Sequence, residues 1–470
     1  MILSPLAAYL LVGAAASHLM RDPFGDRSVY YRISTALLLG MGGLAFLYVI
    51  MDLAGIPITR WSTMIAALAA GGPSLALRIR RGGIESLHPS GFSLPGWGRL
   101  SLPCLLFCAP LILIAAGSFV QMSLLVPRAY DALVGWDLVG KVLSYEGALR
   151  NSVFEKIVYN AQATYPPFAA SMQGLFYLFT PHAPRLWVPI MLVAFMVVLG
   201  EEAWRIVGSS ALAALLLLIV LTLPELSFHL TVAQTDFPNM VFVTIGFLWA
   251  LRYPRDRRAV WLCALFIFFG TMTRSETVLV AAAVSLWMLA RVRFRRWEPV
   301  VVTAASAAFF LFWNLIWVRG LIGYDPGDHF RSTIDLDLQR AWDVIRFAVI
   351  IVSHREPYGE LLPILGAGFL LWVLWVAGLR RRAGESVEGM PATPGAILGL
   401  FALSLAFYLP FFYMWDPVLN PLWTMEHTFK RGFFRYVPLA VLFVMVMVRL
   451  AWEALRPAPA RTASVGDDPR

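Results

Sequence analysis

The chain has 470 residues, of which 59% are hydrophobic and only 14% are charged, with a formal net charge of +9 at pH 7. A mean hydropathy of +0.69 excludes an ordinary soluble globular protein. Apolar runs of about 18 or more residues, each able to cross a bilayer, recur along the chain. The arginines lie in short clusters between these runs rather than in a basic stripe with interleaved aromatics, so no nucleic-acid partner is expected. We predict an all-α polytopic membrane protein.

About thirteen membrane-spanning helices are predicted. They lie near residues 2–20, 33–54, 61–77, 101–121, 185–204, 208–224, 237–252, 259–273, 277–292, 299–318, 361–379, 394–415 and 434–452. The arginine clusters are typical of cytoplasmic loops, which places the N-terminus outside and the C-terminus in the cytoplasm of a cell (inner) membrane protein. The expected organisation is a set of N-terminal helices (1–100), a catalytic membrane region (101–455, with external loops 122–184 and 320–360) and a disordered cytoplasmic tail (456–470).

Each long external loop is predicted to carry an interfacial helix. The apolar stretch 165–179 is too short to span comfortably, and we expect it to lie in the outer interface with Phe176 and Tyr177 toward lipid. Residues 335–353 alternate charged side chains with an apolar face at helical spacing, which predicts a second interfacial helix.

The first external loop contains Gly135-Trp136-Asp137, followed by Lys141 and Glu146 on what we predict to be one short helix. A carboxylate at the membrane edge can serve as a general base, and a tryptophan face suits a sugar ring. The alternative is an aspartate that caps the helix or pairs with Lys141 at i+4.

Two further polar segments lie at predicted outer ends of helices. Asp236 precedes a helix with Pro238 in its first turn, so it is either a helix cap or a functional carboxylate at the membrane edge. Arg274 and Glu276 lie in a short break between two apolar stretches, where charged groups line a polar cavity, pair with each other or bind an anion. An ordinary hairpin turn is the alternative for this second segment.

The last external segment contains a basic cluster of His427, Lys430, Arg431 and Arg435. Its position outside departs from the positive-inside pattern, and guanidinium groups bind phosphate with paired hydrogen bonds. The cluster therefore predicts an anionic ligand, with anchoring to anionic lipid headgroups as the alternative. Since no HExxH motif and no zinc-type Cys/His spacing occurs, no obligatory metal is expected, although a divalent cation stays open.

Taken in order, these segments resemble the polyprenyl-phosphate-dependent glycosyltransferases of the GT-C superfamily, in particular the bacterial membrane proteins of glycosyltransferase family 39. The segments that carry the resemblance are Asp137 in the first large loop, Tyr-Pro-Pro-Phe at 165–168, Thr-Asp-Phe-Pro at 235–238, Arg-Ser-Glu-Thr at 274–277 and the basic segment from Thr428 to Pro438. Phe168 stands where the family commonly has leucine, Thr277 where it has glycine, and about three spans precede the usual first one.

The resemblance implies a GT-C-like helical bundle. It also implies an enzyme that transfers a sugar from a polyprenyl-phosphate donor to a glycan, lipid or protein acceptor at the outer membrane face, with inversion at the anomeric carbon. Asp137 would be the general base, and Asp236 and Glu276 would orient the acceptor or the arginines. The remaining implied substrate-binding residues are Trp136, Lys141, Tyr165, Arg274, His427, Lys430, Arg431 and Arg435.

Two other classes of protein stay open. An O-antigen ligase or polymerase would depend on arginine and histidine in one large loop, where His329, Arg331 and His354 are available. A non-enzymatic transporter or scaffold is the second alternative. A transporter would need polar residues near the centre of several spans, and most of the predicted spans carry charges only at their ends.

Overall fold

The computed structural model describes residues 3–19, 27–82, 102–124, 132–156, 161–253, 255–325, 337–379, 393–414 and 425–455. The predicted tail 456–470, the arginine cluster 380–382, and His329, Arg331 and Asp335 lie outside these ranges.

The described chain is helical, and none of its described residues forms a strand. The main helices are α1 (Leu3–Leu19), α2 (Val29–Leu53), α3 (Arg60–Gly82), α4 (Leu102–Leu124), α5 (Leu138–Glu146), α6 (Phe168–Phe179), α7 (Trp187–Val207), α8 (Ser210–Leu221), α9 (Pro224–His229), α10 (Asp236–Arg252), α11 (Ala259–Thr273), α12 (Thr277–Arg291), α13 (Val300–Leu311), α14 (Leu338–Ser353), α15 (Leu361–Leu374), α16 (Pro394–Met414) and α17 (Val437–Leu455). Wider helical turns extend α13 through Phe312–Ile322 and α15 through Trp375–Leu379, and short turns cover Ala132–Asp137, Ser152–Glu155, Ala161–Thr164, Arg355–Tyr358, Met425–Phe429, Lys430–Gly432 and Phe433–Tyr436.

Five stretches of helix in the described part of the chain are long and apolar enough to cross a membrane. They are Val29–Leu53, Leu105–Leu124, Val300–Ile322, Pro394–Met414 and Met425–Leu455. Six shorter apolar helices accompany them. The prediction of a helical protein with membrane-spanning segments is therefore supported, and the count of thirteen spans stays a prediction.

The first three helices pack with their backbones in contact. A Cβ atom at Gly13 would lie 1.8 Å from the carbonyl oxygen of Ala36, and one at Gly40 would lie 1.9 Å from that of Tyr9. Only glycine fits at such contacts, which are typical of closely packed membrane helices. Helix α2 also packs against α6 and α7, which joins these helices to the rest of the bundle.

Helix α10 is enclosed by protein, because every residue from Asp236 to Leu251 is buried. Its 17 residues correspond to a length of about 25 Å at 1.5 Å per residue. Asp236 and Arg252 therefore mark two opposite ends of the bundle, and each belongs to a separate cluster of ionised side chains.

The two predicted interfacial helices have different outcomes. Helix α6 forms as predicted, but Phe176 is fully buried and Tyr177 is hydrogen-bonded within the protein. The prediction that both face lipid is wrong, since α6 packs against α5 and α2 instead. Helix α14 is also present; the Asp337 side chain caps it by accepting a 3.0 Å hydrogen bond from the Arg340 amide. Along α14 a stripe of apolar side chains stays exposed: Leu338, Trp342, Ile345 and Val349.

Candidate functional site

Asp236 is held between two arginines from distant parts of the chain. Arg274 donates a hydrogen bond to its Oδ1, and the Nε of Arg431 lies 3.2 Å from its Oδ2. The residue at the cap position of α10 is Thr235, and Asp236 itself is 3% exposed within the first turn. The interpretation of Asp236 as a helix cap is therefore wrong, because its carboxylate is used in ion pairs.

Glu276 extends this network to a third arginine. It lies 2.5 Å from the Nε of Arg274 and 3.0 Å from Nη2 of Arg435. Arg435 is 1% exposed and is fixed by a 2.7 Å hydrogen bond to the carbonyl of Gly432 and by the ring of Tyr408, 4.6 Å below its guanidinium carbon. The charged break between α11 and α12 is thus part of a buried ionic network rather than an ordinary turn.

We call Asp236, Glu276, Arg274, Arg431 and Arg435 the Asp236 cluster. Burial raises the pKa of Asp236, but the positive charges of Arg431 and Arg274 outweigh it and hold this pKa well below the ordinary value. Burial also raises the pKa of Glu276, but the positive charges of Arg274 and Arg435 outweigh it and lower this pKa below the ordinary value. Both carboxylates are ionised at neutral pH, so three guanidinium groups face two carboxylates and the cluster has one excess positive charge, which favours an anionic ligand.

His229 lies beside the Asp236 cluster. Its Nδ1 is 4.0 Å from Asp236 Oδ2 and its Nε2 is 3.9 Å from Glu225, to which Lys430 also pairs at 3.2 Å. The imidazole is 1% exposed, and neither ring nitrogen has a hydrogen-bond partner in the described part of the chain. Burial lowers the pKa of His229.

Asp137 is oriented by two side chains of α6. Tyr177 donates to the carboxylate, with its hydroxyl 2.9 Å from Oδ1 and 3.0 Å from Oδ2, and the Gln173 amide donates to Oδ1. The Gln173 oxygen in turn accepts a 2.8 Å hydrogen bond from Trp187, so the amide orientation is fixed. Lys141 is exposed on α5. These two hydrogen-bond donors come from α6 and not from the i+4 position of the Asp137 helix, and Arg185 also interacts electrostatically with Asp137.

A cavity lies next to the segment that carries Asp137, with Gly135 and Trp136 in its wall. Its empty space is about 370 Å³ including its open mouth, and it is lined by Gly135, Trp136, Val139, Leu149, Phe154, Gln162, Tyr165, Pro166, Pro167, Ala170, Trp313 and Trp317. Trp136 and Tyr165 meet edge to face with their ring centroids 5.1 Å apart. Tyr165 is also close enough to Arg274 for an electrostatic interaction. The cavity therefore lies near the Asp236 cluster.

The predicted site residues fall into three groups. Five of them form the Asp236 cluster. Lys430 lies beside that cluster, where it pairs with Glu225. Asp137, Trp136 and Tyr165 belong to the cavity region. Lys141 and His427 are exposed.

Several residues of the site were not predicted from the sequence. Gln173 and Tyr177 lie in the stretch predicted as an interfacial helix, where only Phe176 and Tyr177 were given an orientation, toward lipid. A glutamine within a 12-residue apolar helix is a signal that one face of the helix contacts protein. The tryptophans 313 and 317 are four residues apart, the spacing that places two side chains on one helix face.

A second ion cluster, which we call the Glu202 cluster, lies at the Arg252 end of α10. Its members are Arg27, Glu201, Glu202, Arg205 and Arg252. Glu202 accepts hydrogen bonds from Tyr31 at 2.6 Å and from Arg252 at 2.7 and 2.5 Å. Two adjacent glutamates within an apolar helix are a sequence signal of such a buried ionic cluster.

No protein-family profile, curated protein sequence or solved structure matches this chain. Within the described ranges, the structure brings together no group of three or more His, Cys, Asp or Glu side chains that could hold a metal ion. The metal requirement stays a prediction to be tested.

Proposed function

We propose that this protein is a membrane glycosyltransferase that moves a sugar from a polyprenyl-phosphate donor to a glycan, lipid or protein acceptor. The observation that carries the proposal is that an oriented carboxylate, an aromatic cavity and an excess positive charge lie near one another. Asp137 supplies the carboxylate, Tyr165 links the cavity to Arg274, and the Asp236 cluster supplies the charge. These are the parts that transfer from a sugar phosphate requires.

The proposed setting is a multi-pass protein of the cell (inner) membrane with about thirteen spans. Its N-terminus would lie outside, its C-terminus would lie in the cytoplasm and its site would face away from the cytoplasm. The exposed apolar stripe of α14 supports a helix that lies on lipid. The grouping of Asp236, Arg274 and Arg431 at one end of the bundle supports the predicted assignment of their segments to one side.

The lipid phosphate is the leaving group in this proposal. Arginine binds phosphate through paired, charge-assisted hydrogen bonds, and the excess charge of the Asp236 cluster would stabilise the negative charge that develops as the bond breaks. Arg431 is the member best placed to meet a ligand, because its side chain is 21% exposed while that of Arg435 is 1% exposed.

Asp137 is the proposed general base. The acceptor hydroxyl oxygen attacks the anomeric carbon, the bond from that carbon to the phosphate oxygen breaks with its electron pair going to the phosphate, and the hydroxyl proton passes to Asp137. Attack opposite the leaving group inverts the anomeric configuration. The hydrogen bonds from Tyr177 and Gln173 hold the Asp137 carboxylate in a fixed orientation for this step.

The test is transfer of radiolabelled sugar from polyprenyl-phosphate donors by the purified protein in lipid. Asp137→Asn is expected to lower the rate by about 10²–10⁴-fold, with the fold retained. Glu146→Gln is the matched control, since Glu146 is an exposed carboxylate of the same segment and should transfer at the wild-type rate.

Three results would contradict the proposal or part of it. Normal transfer by Asp137→Asn would move the base elsewhere, with Asp236 next to be tested. Loss of transfer in His354→Gln but not in Asp137→Asn would favour an enzyme of the ligase class. Absence of transfer by the wild-type protein from every donor, with glycan, lipid and protein acceptors, would favour the transporter or scaffold class.

A further inference from the structure

The cavity beside Asp137 is walled by aromatic rings from three parts of the chain. Trp136 precedes Asp137, Tyr165 opens the segment that leads into α6, and Trp313 and Trp317 come from the extension of α13. The two α13 tryptophans stack with centroids 5.0 Å apart and planes 12° from parallel. Flat apolar surfaces of this kind match the C–H faces of a sugar ring.

The lining residues that carry hydrogen-bonding side chains are uncharged. They are Trp136, Trp317, Tyr165 and Gln162, together with Trp313. Trp313 is different, because its N–H already donates to the carbonyl of Ala163 at 3.1 Å.

Two of these groups have unused capacity. Trp136 is 4% exposed and Trp317 is 1% exposed, yet neither indole N–H has a hydrogen-bond partner among the described residues. A buried donor without a partner is unfavourable. A ligand that accepts hydrogen bonds from both would remove that cost, whereas a hydrocarbon chain would not.

We propose that this cavity binds an uncharged sugar ring, with its apolar faces against the tryptophans and its hydroxyl oxygens accepting from the indole N–H groups. The inference rests on the proposed function and deepens it by naming the substrate class as neutral rather than acidic sugars. None of the described residues that line the cavity carries a charge. A uronic acid would therefore lose the hydration of its carboxylate without gaining a charged partner among the lining residues.

The ring can belong to the donor or to a sugar acceptor, because Trp136 directly precedes the proposed base. A donor sugar and an acceptor sugar would present the same ring faces and hydroxyl groups to the cavity. A variant of Trp317 distinguishes them, since it raises the KM for whichever substrate places its ring there and leaves the other KM unchanged.

The test is binding of free methyl glycosides, measured by saturation-transfer difference NMR on the purified protein in lipid nanodiscs. Methyl hexopyranosides without charge are compared with the corresponding methyl glucuronide at the same pH. Because no turnover is needed, sugar binding without transfer would support this inference while the proposed function fails. We expect affinity for neutral glycosides at least about tenfold higher than for the glucuronide.

Variants of Trp317 locate the binding. Trp317→Leu is expected to weaken binding of the neutral glycoside by about tenfold. Trp317→Phe, which keeps a ring and loses only the N–H donor, should have a smaller effect and guards against a misfolded leucine variant. Trp297→Leu is the control, because Trp297 is 73% exposed and lies outside the cavity.

The inference would be overturned by equal binding of neutral and acidic glycosides. Unchanged binding in both folded Trp317 variants would also overturn it, and so would displacement of the glycoside by a short polyprenol at lower concentration than by a neutral sugar. The last result would assign the cavity to the isoprenoid chain.

Discussion

The two ends of helix α10 carry ion clusters of the same composition in different surroundings. Each cluster has three arginines and two carboxylates and therefore one excess positive charge. In the Glu202 cluster the central carboxylate receives three hydrogen bonds from Tyr31 and Arg252. In the Asp236 cluster a buried histidine 4.0 Å from the carboxylate has both ring nitrogens without a hydrogen-bond partner among the described residues.

The surroundings differ as well. The Asp236 cluster is linked through Tyr165 to the aromatic cavity, while the Glu202 cluster is covered by the ring of Trp249, 4.3 Å from the Arg252 guanidinium carbon. The comparison teaches that buried charge alone does not identify a site. A cavity and unused hydrogen-bonding capacity beside the charge are what distinguish a ligand site from a structural junction.

The largest expected effect is a loss of stability when one glutamate of either cluster is neutralised, and the two variants should differ in activity. Glu202→Gln should lower the free energy of unfolding by about 3–5 kcal/mol, because it leaves buried arginines without their charge partner. Unfolding by a denaturing detergent measures this change. Glu276→Gln should lose a similar amount of stability and also lose transfer activity per folded molecule. Normal activity in folded Glu276→Gln, or its loss in folded Glu202→Gln, would break the comparison.

The next effect is on activity. It is tested by replacing the most exposed arginine of each cluster. Arg431→Gln should lower the rate of sugar transfer by about 10²–10³-fold, as expected when one group that stabilises developing charge is removed. Arg205→Gln is the matched control: the two side chains are 21% and 23% exposed and lie 3.2 and 3.3 Å from their carboxylates. Transfer and donor binding are measured for both proteins, and equal losses would show that the Asp236 cluster has no special role.

The smallest effect concerns pH. Burial lowers the pKa of His229 below its ordinary value of 6.5, so the unfolded chain takes up a proton at a higher pH than the folded chain does. Stability should therefore fall as the pH drops below about 6.5, by about 1.4 kcal/mol for each unit of lowered pKa. The groups that face the imidazole are Glu225, Asp236, Arg274 and Arg431.

The measurement for His229 is the thermal midpoint at pH 7.5 and pH 5.5. His229→Gln should lose less stability between the two pH values than the wild-type protein does. Mutation of His354, which is exposed, serves as the control and should leave the wild-type pH dependence unchanged. An identical change in thermal midpoint between the two pH values in His229→Gln and wild type would show that another group causes the pH dependence.

The all-helical architecture could be predicted because apolar runs of membrane length have a clear composition. Five of the seven residues assigned to the three later polar segments do lie together. Asp236, Arg274 and Glu276 were recognised as charges at the membrane edge, and Arg431 and Arg435 as a basic cluster that departs from the positive-inside pattern. Their mutual pairing could not be predicted from spacing, because Arg274 and Arg431 reach Asp236 from segments far apart in the sequence.

The predictions that were wrong or missing concern the direction in which a helix face points. Tyr177 was assigned to lipid because its neighbours are apolar, and only the packing of α6 on α5 turns its hydroxyl toward Asp137. The aromatic cavity needs Trp136 and Trp317, which are far apart in the sequence. Contacts of this kind come from tertiary packing and leave no local periodicity.

The two clusters also differ in when a growing chain can complete them. The Glu202 cluster is built from residues between Arg27 and Arg252, so all of its members exist once α10 has been synthesised. The Asp236 cluster needs Arg431 and Arg435, which enter the membrane only with the final described helical segment. A nascent chain can therefore anchor one end of α10 early in biogenesis, whereas the Asp236 end stays incomplete until the last described helix is in place.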